Sequence, residues 1–172
     1  CCGKSYLSFA IYHYLTVTMG REVEMVGIDR KADVIAFCAE TAADLGYSGL
    51  SFHACDIDDY PYASPVHLTV SLHACDIATD YAIHTGIRSG ASIIMCSPCC
   101  HKQIRLQIQS PALLKPMLQY GLHLGQQAEM VTDSLRALFL EACGYETKVF
   151  EFISLDHTNK NKMILAVKRA EP

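Results

Sequence analysis

No extended run of lysine or arginine occurs in the 172 residues, and acids outnumber bases, 18 to 14, giving a formal net charge of −4 and a pI near 6.0. Such a chain lacks the electrostatic footprint of strong nonspecific nucleic-acid binding, although a small basic cleft remains compatible with it. Internal repeats and low-complexity linkers are missing too. No apolar stretch is long enough to span a membrane and no signal peptide is visible, which points to the cytoplasm. An initiator methionine is also lacking, and no strand precedes the opening turn, as expected of an N-terminally truncated domain whose first strand lies outside this chain.

What is present is apolar: hydrophobic residues make up 51%, enough for one globular domain over residues 1–172 with a substantial core. The nine cysteines read as thiols. Cys1-Cys2 and Cys99-Cys100 are adjacent pairs that disulfide geometry disfavours, and Cys38, Cys55, Cys75, Cys96 and Cys143 lie in apolar runs, where cysteine acts as a small hydrophobe.

Apolar runs of strand length alternate with stretches of helical period, the pattern of a mostly parallel α/β sheet. Helices are predicted from Ser5 to about Val17, with Leu7, Ile11, Tyr14 and Leu15 on one face, from Ala32 to Leu45 and from about Ile77 to Arg88. Strands are predicted in Val23–Asp29, Leu50–Asp56, Val66–Asp76 and the run "ASIIMC" that breaks at Pro98. Residues 103–127 look less regular, with Gln-rich and Pro-containing pieces around short helices, and a further helix carries Met130, Val131, Leu135, Leu138, Phe139 and Ala142 at helical spacing. "TKVFEFISL" and "KMILAVKR" are joined by a connection too short for a crossover helix, so the sheet should end in an antiparallel hairpin.

In doubly wound sheets ligands bind at the carboxyl ends of the strands, and the polar residues here collect at such ends. Gly3-Lys4-Ser5 is either the tail of a phosphate-binding loop or a glycine turn that lets the backbone approach a nucleoside cofactor. Asp29, about 25 residues on, suits two ribose hydroxyls, and Arg30 follows it. Asp56 suits an adenine amino group with Ile57 packed on the ring. Acids ending two successive strands favour adenosine over phosphate recognition. The alternatives are a helix cap at Asp29 and a plain turn at Asp56.

With these features in place the chain resembles the class I S-adenosylmethionine-dependent methyltransferases of the bacterial methyltransferase-domain type. The pieces that carry the resemblance are "CCGKSYLSFAIYHYL", "VGIDRK", "SLHACDIATDYAI", "SPCCHKQIR", "VTDSLRALFLEACGYE" and "HTNKNKMI". More distantly it is similar to a eukaryotic methyltransferase-like group and to the tRNA ribose 2′-O-methyltransferases, which share the HxC…TD and CCH elements. The resemblance implies a Rossmann-like sheet, S-adenosyl-L-methionine as cofactor, and Cys2, Gly3, Lys4, Asp29, Arg30, Asp56, Ile57 and His73 around it. The family pattern D-x-G-x-G-K puts Cys1 where a glycine is usual. By the same analogy the acceptor is RNA, with a small-molecule methyltransferase or a noncatalytic scaffold as the alternatives.

On the acceptor side, transfer of a sulfonium methyl asks the protein mainly to position the acceptor and to remove a proton. His73 or His101 is the candidate base, and Asp76 the candidate orienting acid; the alternatives are a core histidine and a helix cap. Cys75, Pro98, Cys99, Cys100 and Lys102 are expected to wall the substrate pocket, and His157, Lys160 and Asn161 to form a lid or, alternatively, a polar turn. Zinc is not expected, because Cys96-x-x-Cys99 has no second cysteine pair to match it.

Overall fold

The computed structural model describes residues 2–62, 65–154, 156–158 and 160–170, so that Cys1, Leu155 and Asn159 lie outside the described residues. It divides into two compact units, residues 1–61 and 62–172.

The first unit opens with helix α1 (Tyr6–His13), which continues as one π-helical turn over Tyr14–Thr18. Strand β1 (Met25–Asp29), helix α2 (Ala32–Asp44) and strand β2 (Leu50–Ala54) complete it, the two strands pairing in parallel with Asp29 opposite Ala54. Gly46, at φ 70°, ends α2 as expected of a left-handed glycine. The buried residue of α1 is Tyr12, whereas Leu7 and Tyr14 of the anticipated apolar face are exposed. Tyr12 packs with Ala42 and Leu50, and its hydroxyl accepts the Gly49 N–H at 2.9 Å. An aromatic with a polar tip serves this small core better than the leucine stripe would.

The second unit runs β3 (Leu68–Leu72), α3 (Ile77–Arg88), β4 (Ile93–Ser97), α4 (Lys102–Gln107), α5 (Lys115–Leu118), α6 (Gly121–Ala142), β5 (Tyr145–Glu151) and β6 (Lys162–Lys168). The strand order is β3-β4-β6-β5, with β3 and β4 parallel and β6 antiparallel to both neighbours. The expected terminal hairpin is present, and its second strand is the inner one: Met163, Ile164 and Ala166 of β6 are buried. The core gathers Ile83, Ala91, Ile94, Cys96, Leu140, Tyr145, Ile164 and Ala166. Tyr145 also donates to the Ala91 carbonyl at 2.8 Å.

Three expectations fail here. The short helices expected within 103–127 are present as α4 and α5, but the last helix already begins at Gly121, because its two early glycines and mixed first turns hide its period. Its buried face is Ala128, Thr132, Asp133, Arg136, Ala137 and Leu140, while Met130, Leu135, Leu138 and Phe139 of the apolar stripe are exposed. Apolar spacing misidentified the inner face because that face carries a polar network. Cys75 and Cys143 are likewise exposed rather than core, whereas Cys38 and Cys96 are buried.

Gly86, in the last turn of α3, is where the helix meets the sheet: a Cβ built there would lie 2.8 and 2.9 Å from the Cδ1 and Cγ1 of buried Ile94. Alanine gains about 1 kcal/mol in helix propensity, but overpacking a closed core costs about 1–3 kcal/mol. Gly86→Ala should therefore lower stability by about 1 kcal/mol in urea unfolding, and the added change Ile94→Val should recover part of the loss. A stability gain in the single variant would show that Ile94 yields.

Candidate functional site

In the first unit the sequence-predicted residues converge at the carboxyl ends of β1 and β2. Gly3, at φ 52°, donates its N–H to Asp29 Oδ2 at 2.9 Å, and the Lys31 N–H reaches Asp29 Oδ1 at 3.1 Å. The Cys2 N–H bonds the Ile28 carbonyl at 2.8 Å, so the opening turn is sewn to the end of β1. Nothing lies within 4 Å of a Cβ built on Gly3, which leaves its backbone bare on that side. Cys55 N–H bonds the Asp29 carbonyl, and Arg30 approaches Asp56 at 3.7 Å in an exposed pair of little energetic weight. Lys4 is exposed. Ser5 is buried, and its hydroxyl turns inward to the Cys2 carbonyl at 3.4 Å. That orientation fits the nucleoside turn and leaves the serine poorly placed for the metal of a phosphate loop.

Asp29 thus anchors the turn, a role the sequence did not disclose. Burial alone would push its carboxyl up, but the Gly3 and Lys31 amides outweigh it and hold the group below the ordinary aspartate range. A folded value below the unfolded one means that the stabilisation is complete above about pH 4 and is lost as the pH falls through the folded value. Asp29→Ala should cost about 1–3 kcal/mol at neutral pH. In denaturant unfolding the gap between variant and parent should narrow as the solution is acidified. A gap independent of pH would show that the ionised carboxylate is not the anchor.

In the second unit, β3 and β4 end side by side, with Leu72 opposite Ser97 and the His73 N–H bonded to the Ser97 carbonyl at 2.8 Å. The chain then turns sharply: His73 (φ 55°) and Asp76 (φ 46°) both adopt backbone conformations that favour glycine. Between them Cys75 swings over to the residues after Pro98, and its sulfur lies 3.6 Å from that of Cys99 and 3.2 Å from that of Cys100.

His101 is buried, and its Nε2 lies 3.1 Å from Asp133 Oδ1 on α6. Arg136 donates to Asp133 Oδ1 at 3.2 Å, to Asp80 Oδ1 at 2.7 Å and to the Asp76 carbonyl at 3.0 Å. Burial would lower the Arg136 pKa, but Asp80 and Asp133 reverse that and raise it. Asp80, Asp133 and Arg136 were not singled out from the sequence; the only signal was their place in "HACDIATD" and "VTDSLR".

A cleft of about 530 Å³ opens beside His101, lined among others by Cys99, Cys100, Lys102, Arg105, Lys160 and Asn161. Six predicted residues (Cys99, Cys100, His101, Lys102, Lys160 and Asn161) therefore share one cleft. Asn161 donates to the Ile153 carbonyl at 2.8 Å, and its buried Oδ1 has no partner among the described residues. Glu129 takes both Lys160, at 3.0 Å, and Lys162, at 2.6 Å. Burial would raise the Glu129 pKa, yet these two lysines bring it down. Arg105 lies over α6, its guanidinium 3.0 and 4.0 Å from Cβ positions built on Gly121 and Gly125.

Other predicted residues fall elsewhere. Asp76 lines a separate cleft of about 380 Å³ with Ile77, Asp80, Ile104, Leu135 and Phe139. Pro98 is buried, and His73 and His157 are exposed, His157 in a turn closed by its N–H to the Ser154 carbonyl. Cys96, which spacing paired with Cys99, sits in the core, where burial pushes its thiol up to about 12.

The structure assigns Arg136 an indispensable place, since it neutralises buried Asp133. Breaking a buried pair by removing one partner costs about 3–5 kcal/mol. Arg136→Met should lose that much in denaturant unfolding, and Arg136→Met combined with Asp133→Leu should lose less. Equal losses would mean that packing rather than charge holds the junction.

A family model described as "Methyltransferase domain" matches residues 1–107. The chain is 24% identical over 196 residues to the human (Homo sapiens) glutathione S-transferase C-terminal domain-containing protein, covering 97% of this chain and 29% of that protein. The counterpart in Bos taurus is 23% identical over 191 residues. The chain spans about 29% of the length of the curated relatives it matches. Among solved structures, the [4+2]-cyclase SpnF has a TM-score of 0.59 at 13% identity, covering 99% of this chain and 74% of that one. An rRNA methylase from Streptococcus thermophilus has 0.55 at 11%, covering 99% and 84%. The plantazolicin methyltransferase BpumL, solved with a substrate analogue and SAH, has 0.55 at 14%, covering 98% and 74%. At such identities these structures share the fold.

Proposed function

The chain belongs to the methyltransferase-domain family of S-adenosylmethionine-dependent enzymes, and we propose that its methyl acceptor is RNA. The observation that carries the proposal is the cleft of the second unit. Exposed Lys102 and Arg105 line it beside buried His101, and the unpartnered Asn161 Oδ1 awaits a hydroxyl or amino donor. Lys102, Arg105, Lys160 and Lys162 outnumber Glu129 and Glu151 in its lining, and this local positive charge on a chain of net charge −4 supports a phosphate-bearing acceptor.

In this reading the Gly3 turn with Asp29, Asp56 and Ile57 holds the adenosine and ribose of the cofactor, alongside Cys2, Lys4 and Arg30. When bound, S-adenosylmethionine supplies an electrophilic methyl group on sulfur. The protein's residues bring the acceptor in line and take its proton. His101 is the candidate base: an ionised Asp133 accepts from Nε2–H, which leaves Nδ1 as the ring atom able to receive a proton. The acceptor's lone pair forms the new bond to carbon, and the carbon–sulfur pair departs with S-adenosylhomocysteine. His73, Asp76 and His157 have the weaker claims, being outside this cleft's lining.

The experiment is transfer of labelled methyl to total RNA, before and after ribonuclease. Label that ribonuclease releases supports the reading, whereas label on small molecules alone overturns it. Arg105→Ala should weaken RNA binding at all sequences alike and reduce the slope of log affinity against log salt by about 1. An unchanged slope would remove Arg105 from the phosphate path.

A further inference from the structure

The thiols of Cys75, Cys99 and Cys100 form a closed triangle, with sulfur separations of 3.6, 3.7 and 3.2 Å. All three ligand atoms lie within 4.8 Å of one another. Thiols are weak donors and weak acceptors, so mutual hydrogen bonds do little to hold such a cluster together. Two separate devices bring it about. The parallel register of β3 and β4 sets the two strand ends side by side, and the left-handed turns at His73 and Asp76 then carry Cys75 across. After Pro98 the adjacent Cys99 and Cys100 both contribute to the same triangle.

From this geometry we propose that Cys75, Cys99 and Cys100 bind one Zn²⁺ ion as three thiolates. With a zinc–sulfur bond of about 2.3 Å, two sulfurs on a tetrahedral ion stand about 3.8 Å apart. Two of the three separations are already close to that, and the third needs a shift of about half an ångström. Three protein ligands with a fourth position left over is the pattern of an accessible zinc site rather than a closed structural one. Cys99 and Cys100 also line the cleft beside His101, so the fourth position falls to water or to a donor atom of a cleft ligand.

The electrostatics point the same way. Without a cation the thiols oppose one another's ionisation: hydrogen bonding to Cys100 pushes Cys75 up, and burial followed by the two neighbouring thiols pushes Cys99 up to about 12. A divalent ion supplies the charge that lets them ionise together, and loading releases protons. The spacing rule missed this site because it paired Cys99 with Cys96, which the core holds, while the third ligand comes from another strand end 24 residues earlier.

The test is titration of the fully reduced chain with Co²⁺, a spectroscopic stand-in for zinc. The expected result is about one equivalent bound, with sulfur-to-cobalt charge-transfer absorption and the strong visible bands of tetrahedral coordination, all abolished by stoichiometric Zn²⁺. Cys75→Ser and Cys99→Ser should each lower affinity by more than the roughly 10–100-fold that outer-shell changes cause, while Cys143→Ser should bind as the parent does. Circular dichroism of each variant reports whether it has folded. The titration of the unmodified chain decides the matter by itself: no charge-transfer band in the reduced protein overturns the proposal. So does a band that survives in the Cys75→Ser, Cys100→Ser double variant. The outcome is independent of whether the acceptor is RNA.

Discussion

The Arg136 guanidinium is the contact on which the buried polar network of the second unit depends. It reaches Asp80 on α3, Asp133 one turn back on α6, and the Asp76 carbonyl at the strained turn after β3. Each bond fixes a different piece of the site. Asp133 then holds the ring of His101, and His101 follows directly on the two adjacent cysteines. Burying a carboxylate and a guanidinium costs several kcal/mol per ion, which only close geometry and further hydrogen bonds offset. Arg136 meets that condition by spending three donors on three acceptors. The result is a rigid polar wedge where an amphipathic helix would ordinarily pack leucines.

The same arrangement accounts for backbone strain near the site. His73 and Asp76 occupy conformations that cost about 1–3 kcal/mol each for residues other than glycine. Bonds on either side hold them: His73 N–H to Ser97, Thr79 hydroxyl to the Ala74 carbonyl at 2.6 Å, and Arg136 to Asp76. In the first unit Asp29 does the equivalent for Gly3 and left-handed Ser5, there with a charged acceptor and backbone amides. Both units thus hold a bent loop at a strand end by a buried or half-buried ion, and in both the loop carries the residues assigned to ligands.

Much of this was legible in the residues because strands and strand ends leave local marks. The acid closing "VGID", the glycine after α2 and the proline after β4 each act through the chain on either side of them, and the structure keeps all three, whereas the strands expected to end on Asp56 and Asp76 stop earlier, at Ala54 and Leu72. The inner face of α6 was not legible, because apolar periodicity assumes that what is buried is apolar, and here Thr132, Asp133 and Arg136 are buried. The thiol triangle escaped for a different reason. Its members meet through strand register and turn conformation, and neither is encoded in the spacing of cysteines. Asp29's anchoring of Gly3 escaped for the same reason: residues 26 positions apart meet only when the turn folds back.

The cleft shows how a shared sheet acquires its own chemistry. Its walls come mainly from the loop after β4, from α4 and α6, and from the β5–β6 connection, with Glu151 and Lys162 at the adjoining ends of β5 and β6. Glycine inside a helix costs about 1 kcal/mol relative to alanine, and α6 accepts that cost at Gly125, one turn after its first residue Gly121, both beneath Arg105. A Cβ at Gly121 would crowd the guanidinium at 3.0 Å, so the bare helix surface is what lets the arginine lie across it. The strands supply the frame, and the cleft is lined by residues such as Arg105 and Asn161 that the frame leaves free to differ.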